Sequence, residues 1–218
     1  MRLILVRHAE TAWNEAGRYQ GWEDPPLSER GVATAERIGT LLHSRCPSDC
    51  SLWSSDLRRA EQTARIAFDR APLVDRRLRE LDFGVFAGRT HDQNLAHFGA
   101  RFADWVSRPG HVAPPDGESL DALLSRTGAW LDEVRRSAAR ADDVVAVTHG
   151  GVIRILLERL LGEERWPANG EVHVVRWSSE GVRPTLERWS LDAQTLDAPT
   201  LDAQTHHPPT HHHRGGDA

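Results

Sequence analysis

The feature that most constrains the fold occurs twice. Leu3 to Val6 is an unbroken apolar run that breaks abruptly into Arg7, His8, Glu10 and Asn14. Val144 to Val147 is a second such run, and it ends in Thr148, His149, Gly150 and Gly151. A short apolar run without polar alternation fits a strand buried on both faces, the habit of parallel sheets with helices on either side. In open α/β sheets the ligand crevice lies beyond the carboxyl ends of the strands, so each run carries one histidine to the functional rim. With 39 % apolar residues and 8 Trp among 218 positions, one α/β domain can cover a sheet on both faces, while a second full domain would be cramped. The expected architecture is three-layer α/β/α around a mostly parallel sheet.

Between the two runs the pattern alternates as that architecture requires. Gly17 to Gly31 is a loop rich in Gly, Pro and Asp, closed by Ser28 as an N-cap. The helix that follows carries Val32, Ala35, Ile38, Leu41 and Leu42 on one side and is ended by Pro47. A second strand at Cys50 to Ser55 runs into a helix starting near Ser55 or Asp56, with Arg58 and Arg59 in its first turn. Cations are disfavoured there by the helix dipole, so the pair needs solvent or an anion. Neighbours on a helix point about 100° apart, so one arginine at most faces the crevice. A third strand around Pro72 to Asp75 leads to Glu80, set between Leu78 and Leu81, where burial would raise a carboxyl pKa. Gly88 to Gly117 reads as a short helical excursion over the site, with Phe98, Phe102 and Trp105 as packing. A longer helix starts at Ser119 or Asp121 and runs through Leu123, Leu124, Trp130, Leu131 and Val134.

After the second histidine an amphipathic helix ends at Gly162. Residues 171–177 and 182–189, separated by Ser-Ser-Glu-Gly, then read as an antiparallel hairpin at the sheet edge. The expected domain is therefore 1–190. Residues 191–218 repeat Leu-Asp-Ala-Gln/Pro-Thr at a spacing that matches neither helix nor strand, then become His-rich, and are expected to be a disordered tail. His206, His207 and His211 to His213 have the composition of a metal-chelating tract or of an added tag.

Net charge of −5 supplies no field for nucleic acid or an anionic membrane, and no apolar run is long enough to span a bilayer or form a signal-peptide core. A cytoplasmic protein is expected. All 27 basic residues are Arg, so an individual arginine is informative only through its position. Cys46 and Cys50 lack a second Cys/His pair at matching spacing and read as free thiols in a reduced compartment.

Arg7, His8, Arg59 and His149 thus share one rim. Guanidinium forks suit phosphate oxygens, and nearby cations disfavour imidazolium, which keeps one imidazole neutral and nucleophilic. The remaining groups would hold the charge of a transferring phosphoryl, and a buried Glu80 could protonate the leaving alcohol. Neither His8 nor His149 has the ligand spacing of a metallohydrolase, and there is no G-x-S-x-G elbow, Walker loop or dinucleotide fingerprint.

Six segments in order, RHAETAWN, QGWEDPPLSERG, SSDLRRAEQTA, LRELDFG, GESL and VVAVTHGGVIR, resemble the histidine phosphatase superfamily with its phosphoglycerate-mutase-like fold, over residues 2–190. The resemblance implies that His8 attacks phosphorus, Glu80 protonates the leaving oxygen, and water then hydrolyses phospho-His8. Arg7, Arg59 and His149 complete the phosphate pocket, which Asn14, Gln20, Gly21 and Gly150 line, and neither metal nor cofactor is implied. Arg59 is preferred to Arg58 because it directly precedes the Ala of the R-A-x-x-T-A pattern. Two positions depart from the pattern: Ala9 where the signature usually reads Gly, and Ala87 where many relatives carry Glu. The short segment from Glu80 to Gly117 is more similar to the small phosphatases than to the mutases, which favours hydrolysis of a small phosphomonoester. A phosphoglycerate mutase is the alternative, a phosphate-binding module without turnover is a third reading, and the edge hairpin leaves a homodimer open.

Overall fold

The computed structural model describes residues 1–137, 143–177 and 183–191. Six strands form its sheet: β1 (Arg2–Arg7), β2 (Ser51–Ser54), β3 (Leu73–Val74), β4 (Asp143–Thr148), β5 (Val172–Arg176) and β6 (Thr185–Trp189), in spatial order β3-β2-β4-β1-β5-β6. The first four in that order are mutually parallel, and β5 and β6 close one edge as the expected antiparallel hairpin. The Ser178 to Gly181 turn lies outside the described residues.

Alternation along the central strands divides the apolar interior in two. Leu3, Leu5, Val144 and Ala146 point to one face, against α6 (Leu120–Ser137) and α7 (Gly150–Leu161). Ile4, Val6, Val145 and Val147 point to the other, against α2 (Glu29–His43) and α3 (Arg58–Phe68). Each of these eight strand residues is at most 1 % exposed, the double burial that an unbroken apolar run requires. The fold is thus α/β in three layers, as expected. The excursion over the site is two helices, α4 (His91–Phe98) and α5 (Ala100–Ser107), broken at Gly99, whose φ of +53° ends one and starts the other. Phe102 and Trp105 are buried from α5, edge-on to Tyr19 and packed around Phe86.

Three expectations need correction. Val32 is 39 % exposed, because α2 turns its glycines inward: a Cβ at Gly31 would lie 2.0 Å from the Glu10 carbonyl oxygen, and one at Gly39 would lie 2.7 Å from that of Ala67. The helix after β2 starts at Arg58, since Ser55 and Asp56 are occupied in the turn. Ser55 Oγ accepts from the Leu57 N–H, and Asp56 takes a bidentate pair from Arg79. The third strand shrinks to two exposed residues at the edge. Leu191 is buried against Trp189 in the second core, so the folded chain extends at least to it. The rest of the expected tail lies outside the described residues. Cys46 and Cys50 are both free thiols.

Gly39 lets α2 approach α3 closely, so a larger side chain must push the two helices apart. Gly39→Val is expected to destabilise the domain by about 2 kcal/mol in urea unfolding, whereas Thr40→Val on the exposed face leaves the midpoint unchanged.

Candidate active site

Parallel pairing of β1 with β4 places Arg7 opposite Thr148, and the ladder continues one step beyond the strands, where the His8 N–H donates to the Thr148 carbonyl at 2.9 Å. The two histidines that follow are therefore neighbours although 141 positions separate them in sequence. Their ring centroids lie 5.1 Å apart at 60°, with His8 3 % and His149 0 % exposed. The His8 Nδ1 sits 2.7 Å from the Ala9 carbonyl, which can only accept, so Nδ1 carries the proton and Nε2 the lone pair. Arg59 Nε donates to that Nε2 at 3.3 Å. Neither nitrogen of His149 has a hydrogen-bond partner among the described residues.

Both buried arginines are held by backbone carbonyls. Arg59 Nη1 and Nη2 each donate at 2.8 Å, to Glu23 and Gly21, and Arg7 Nη1 donates to Pro167 at 2.6 Å. The nearest carboxylate to Arg59, that of Asp24, is 4.0 Å away. Burial pushes Arg59 down to about 10, so it stays cationic at neutral pH. The exposed Arg58 uses only its backbone N–H, given to Asp24 at 2.7 Å. One of the adjacent pair faces the crevice, and it is Arg59.

Burial, reinforced by Arg59 and Arg7, holds His8 well below the ordinary imidazole value, and burial with Arg59 and His8 does the same to His149. Both rings are neutral at pH 7. Glu80, 4 % exposed, shifts the other way, because burial outweighs the N–H donors of Gly151 at 3.1 Å and Leu81 at 2.9 Å. Its backbone carbonyl is fixed by Trp22 Nε1 and Arg126 Nη2, each at 2.8 Å. Arg126 is itself anchored to Glu118 by two bonds. The close approaches at the Gly150-Gly151 turn are to protein groups. A Cβ at Gly151 would lie 2.3 Å from Glu80 Oε1, and one at Gly150 would lie 3.4 Å from Arg7 Cζ and the Trp166 ring.

The predicted lining residues divide by what they bind. Asn14 Oδ1 accepts from the Thr11 N–H at 3.1 Å, Gln20 Oε1 accepts from the Thr11 hydroxyl at 3.1 Å, and the Gly21 carbonyl serves Arg59. Gly21 itself, at φ +57°, has no room for a Cβ beside the Phe83 N–H. Sequence reasoning missed the segment Trp166 to Glu171, which clamps the strand end that carries His8 from the other side. Asn169 Nδ2 donates to the His8 carbonyl at 3.0 Å, the Gly170 N–H donates to the Arg7 carbonyl at 3.1 Å, and Pro167 holds the Arg7 guanidinium. Thr63, also missed, accepts the Ala9 N–H at 3.0 Å. The clamp's only sequence signal is the turn composition of Pro-Ala-Asn-Gly.

Two neutral histidines make stability depend on pH with a definite sign. Their folded pKa values lie below the unfolded value near 6.5, so the unfolded chain binds the extra protons and stability falls as the pH drops below that value. Glu80, whose folded pKa is raised, runs oppositely and gains stability as the pH falls. Urea unfolding between pH 6 and 5 should therefore show a slope shallower by about 1.4 kcal/mol per pH unit in His149→Gln than in the parent. An unchanged slope would mean that His149 is already charged in the folded protein.

Comparison with known proteins agrees with this geometry. The family model described as histidine phosphatase superfamily (branch 1) matches residues 3–192. The chain is 33 % identical over 171 residues to a 2,3-bisphosphoglycerate-dependent phosphoglycerate mutase of Azorhizobium caulinodans, covering 74 % of this chain and 83 % of that one. It is 37 % identical over 165 residues to phosphoserine phosphatase 1 of Hydrogenobacter thermophilus, covering 74 % and 77 %. The crystal structure of a putative alpha-ribazole-5'-P phosphatase from Escherichia coli superposes with a TM-score of 0.78 at 28 % identity, over 86 % of this chain and 95 % of that one. The matched span takes in both strand-end histidines, the helix that carries Arg59 and the loop that carries Glu80, and the chain belongs to branch 1 of the histidine phosphatase superfamily.

Proposed function

We propose that the protein hydrolyses a small phosphomonoester without a metal, through a phosphohistidine on His8. The observation that carries this reading is the tautomer of His8, whose Nδ1 is tied to the Ala9 carbonyl so that Nε2 is left as a nucleophile beside a buried guanidinium. Nε2 attacks phosphorus as the P–O bond to the alcohol breaks, and the leaving oxygen takes the proton of Glu80. Arg59, Arg7 and the neutral His149 hold the charge on the equatorial oxygens. In the second half-reaction the Glu80 carboxylate takes a proton from water as the water oxygen bonds to phosphorus, releasing phosphate and neutral His8. Asn14, Gln20, Gly21 and Gly150 line the phosphate, Asn169 positions His8, and the site lies in a cytoplasmic protein.

Phosphoryl transfer back to a second hydroxyl would use the same residues, and the mutase among the relatives favours keeping that reading. The test is direct. p-Nitrophenyl phosphate in EDTA should yield phosphate at the rate seen without EDTA, and His8→Ala should abolish turnover. 3-Phosphoglycerate with catalytic 2,3-bisphosphoglycerate should give little 2-phosphoglycerate. Rapid isomerisation without free phosphate would establish the mutase instead.

Glu80 generates its own prediction. Its raised pKa keeps it protonated at mildly acidic pH, and the rate on an alkyl phosphate should fall as the pH rises through that value. Glu80→Gln should slow an alkyl phosphate about 10²- to 10⁴-fold but p-nitrophenyl phosphate much less, since p-nitrophenolate leaves without a proton. Equal losses on both substrates would remove Glu80 from the acid role.

A further inference from the structure

An open depression on the surface, about 700 Å³ in volume, is lined by Arg18, Ala87, Arg89, Gln93 and His97 and shares no residue with the catalytic set. Its charged lining is entirely cationic or donor. Among the described residues neither Arg18 nor Arg89 has a carboxylate within ion-pair distance, in a protein where Arg2, Arg77, Arg79, Arg108 and Arg126 each hold one. Both guanidiniums are nevertheless held in place. Arg18 Nη1 donates to the Gly88 carbonyl at 3.2 Å and its Cζ lies 5.9 Å from the Trp13 ring centroid. Arg89 Nη1 donates to the Val85 carbonyl at 3.0 Å and its Cζ lies 5.5 Å from the Phe98 centroid. One carbonyl bond and one ring contact fix each side chain while leaving most of its five donors uncommitted. Gln93 is oriented by its Oε1, which accepts from the Thr90 N–H, so its amide nitrogen is a further donor.

We propose that this hollow is a second, non-catalytic site for a small soluble molecule bearing two or more oxyanion groups, phosphate or carboxylate. Paired guanidinium forks bind planar or tetrahedral oxyanions bidentately, and a ligand with two such groups uses both forks at once. The depression is large enough to admit a small molecule, and the net charge of −5 over the whole chain opposes a long polyanion such as nucleic acid. Ala87 is on the same lining as the arginines and supplies no competing charge.

The probes are citrate for carboxylate and pyrophosphate for phosphate, titrated into the full chain at low ionic strength. Arginine Nε resonances are followed by nitrogen NMR, which separates this site from the catalytic Arg7 and Arg59. The expected result is a saturable shift of the Arg18 and Arg89 signals with at least one probe, weakened by added salt. Affinity should fall at least about tenfold at the Arg89 signal in Arg18→Gln, and at both signals in Ala87→Glu, which places a carboxylate among the guanidiniums. Hydrolysis of p-nitrophenyl phosphate should be unchanged in both variants, which also reports that they fold. No shift of either signal up to about 10 mM of both probes, or a shift that survives in Ala87→Glu, would overturn the site.

Discussion

The site depends first on the register between β1 and β4. Because Arg7 faces Thr148 and the His8 N–H reaches the Thr148 carbonyl, the chain leaves both strands at one level and delivers His8 and His149 to one spot. Side chains alternate along a strand, so a slip of one residue would exchange the two faces of the sheet. Leu3 and Leu5 would then turn toward α2 and α3, with Ile4 and Val6 toward α6 and α7, against cores already filled. The two-sided apolar packing that makes β1 and β4 so strongly buried therefore also fixes the distance between the histidines. Fold stability and catalytic geometry share a cause.

A second constraint is electrostatic. A guanidinium that is 1 % exposed would ordinarily require a carboxylate partner, yet Arg59 is anchored by the carbonyls of Glu23 and Gly21, and Arg7 donates to the carbonyl of Pro167. Carbonyl dipoles satisfy donors without cancelling net charge. The pocket thus keeps positive charge in a protein of negative overall charge, and that field adds to burial, the larger cause, in keeping His8 and His149 neutral. A carboxylate in direct contact with Arg59 would cancel that charge. Asp24, 4.0 Å from Arg59 and 43 % exposed, is too distant and too well solvated to have that effect.

What could be read from the sequence follows from how locally each residue's task is encoded. His8 and His149 were legible because each ends an apolar run, and Arg59 was distinguished from Arg58 by its place before the Ala of the R-A-x-x-T-A pattern. Glu80 was legible because a carboxylate between leucines is marked by its neighbours. Asn169 was not, since its task is a hydrogen bond to a carbonyl 161 positions away and nothing beside it in sequence signals that contact. Val32 failed for a related reason: an apolar residue at helical spacing was read as inward. In fact the helix is oriented by the glycines that contact Glu10 and Ala67, an interaction made through the absence of side chains. The start of α3 lies two or three residues later than expected because Asp56 is engaged by Arg79, which only the folded chain brings to it.

The glycine pair after His149 illustrates the same coupling at closer range. The missing side chains at Gly150 and Gly151 leave room for Arg7 and Glu80. The Gly151 N–H donates to Glu80 Oε2 while the missing Cβ leaves space for Oε1, so the turn that presents one histidine also seats the acid. That donor favours the carboxylate form and burial favours the acid, and the two oppose each other within one residue. Burial prevails, and the Gly151 N–H reduces the rise it produces. The first turn of α7 therefore does more than close a loop: it sets the acid's position and moderates its proton affinity together.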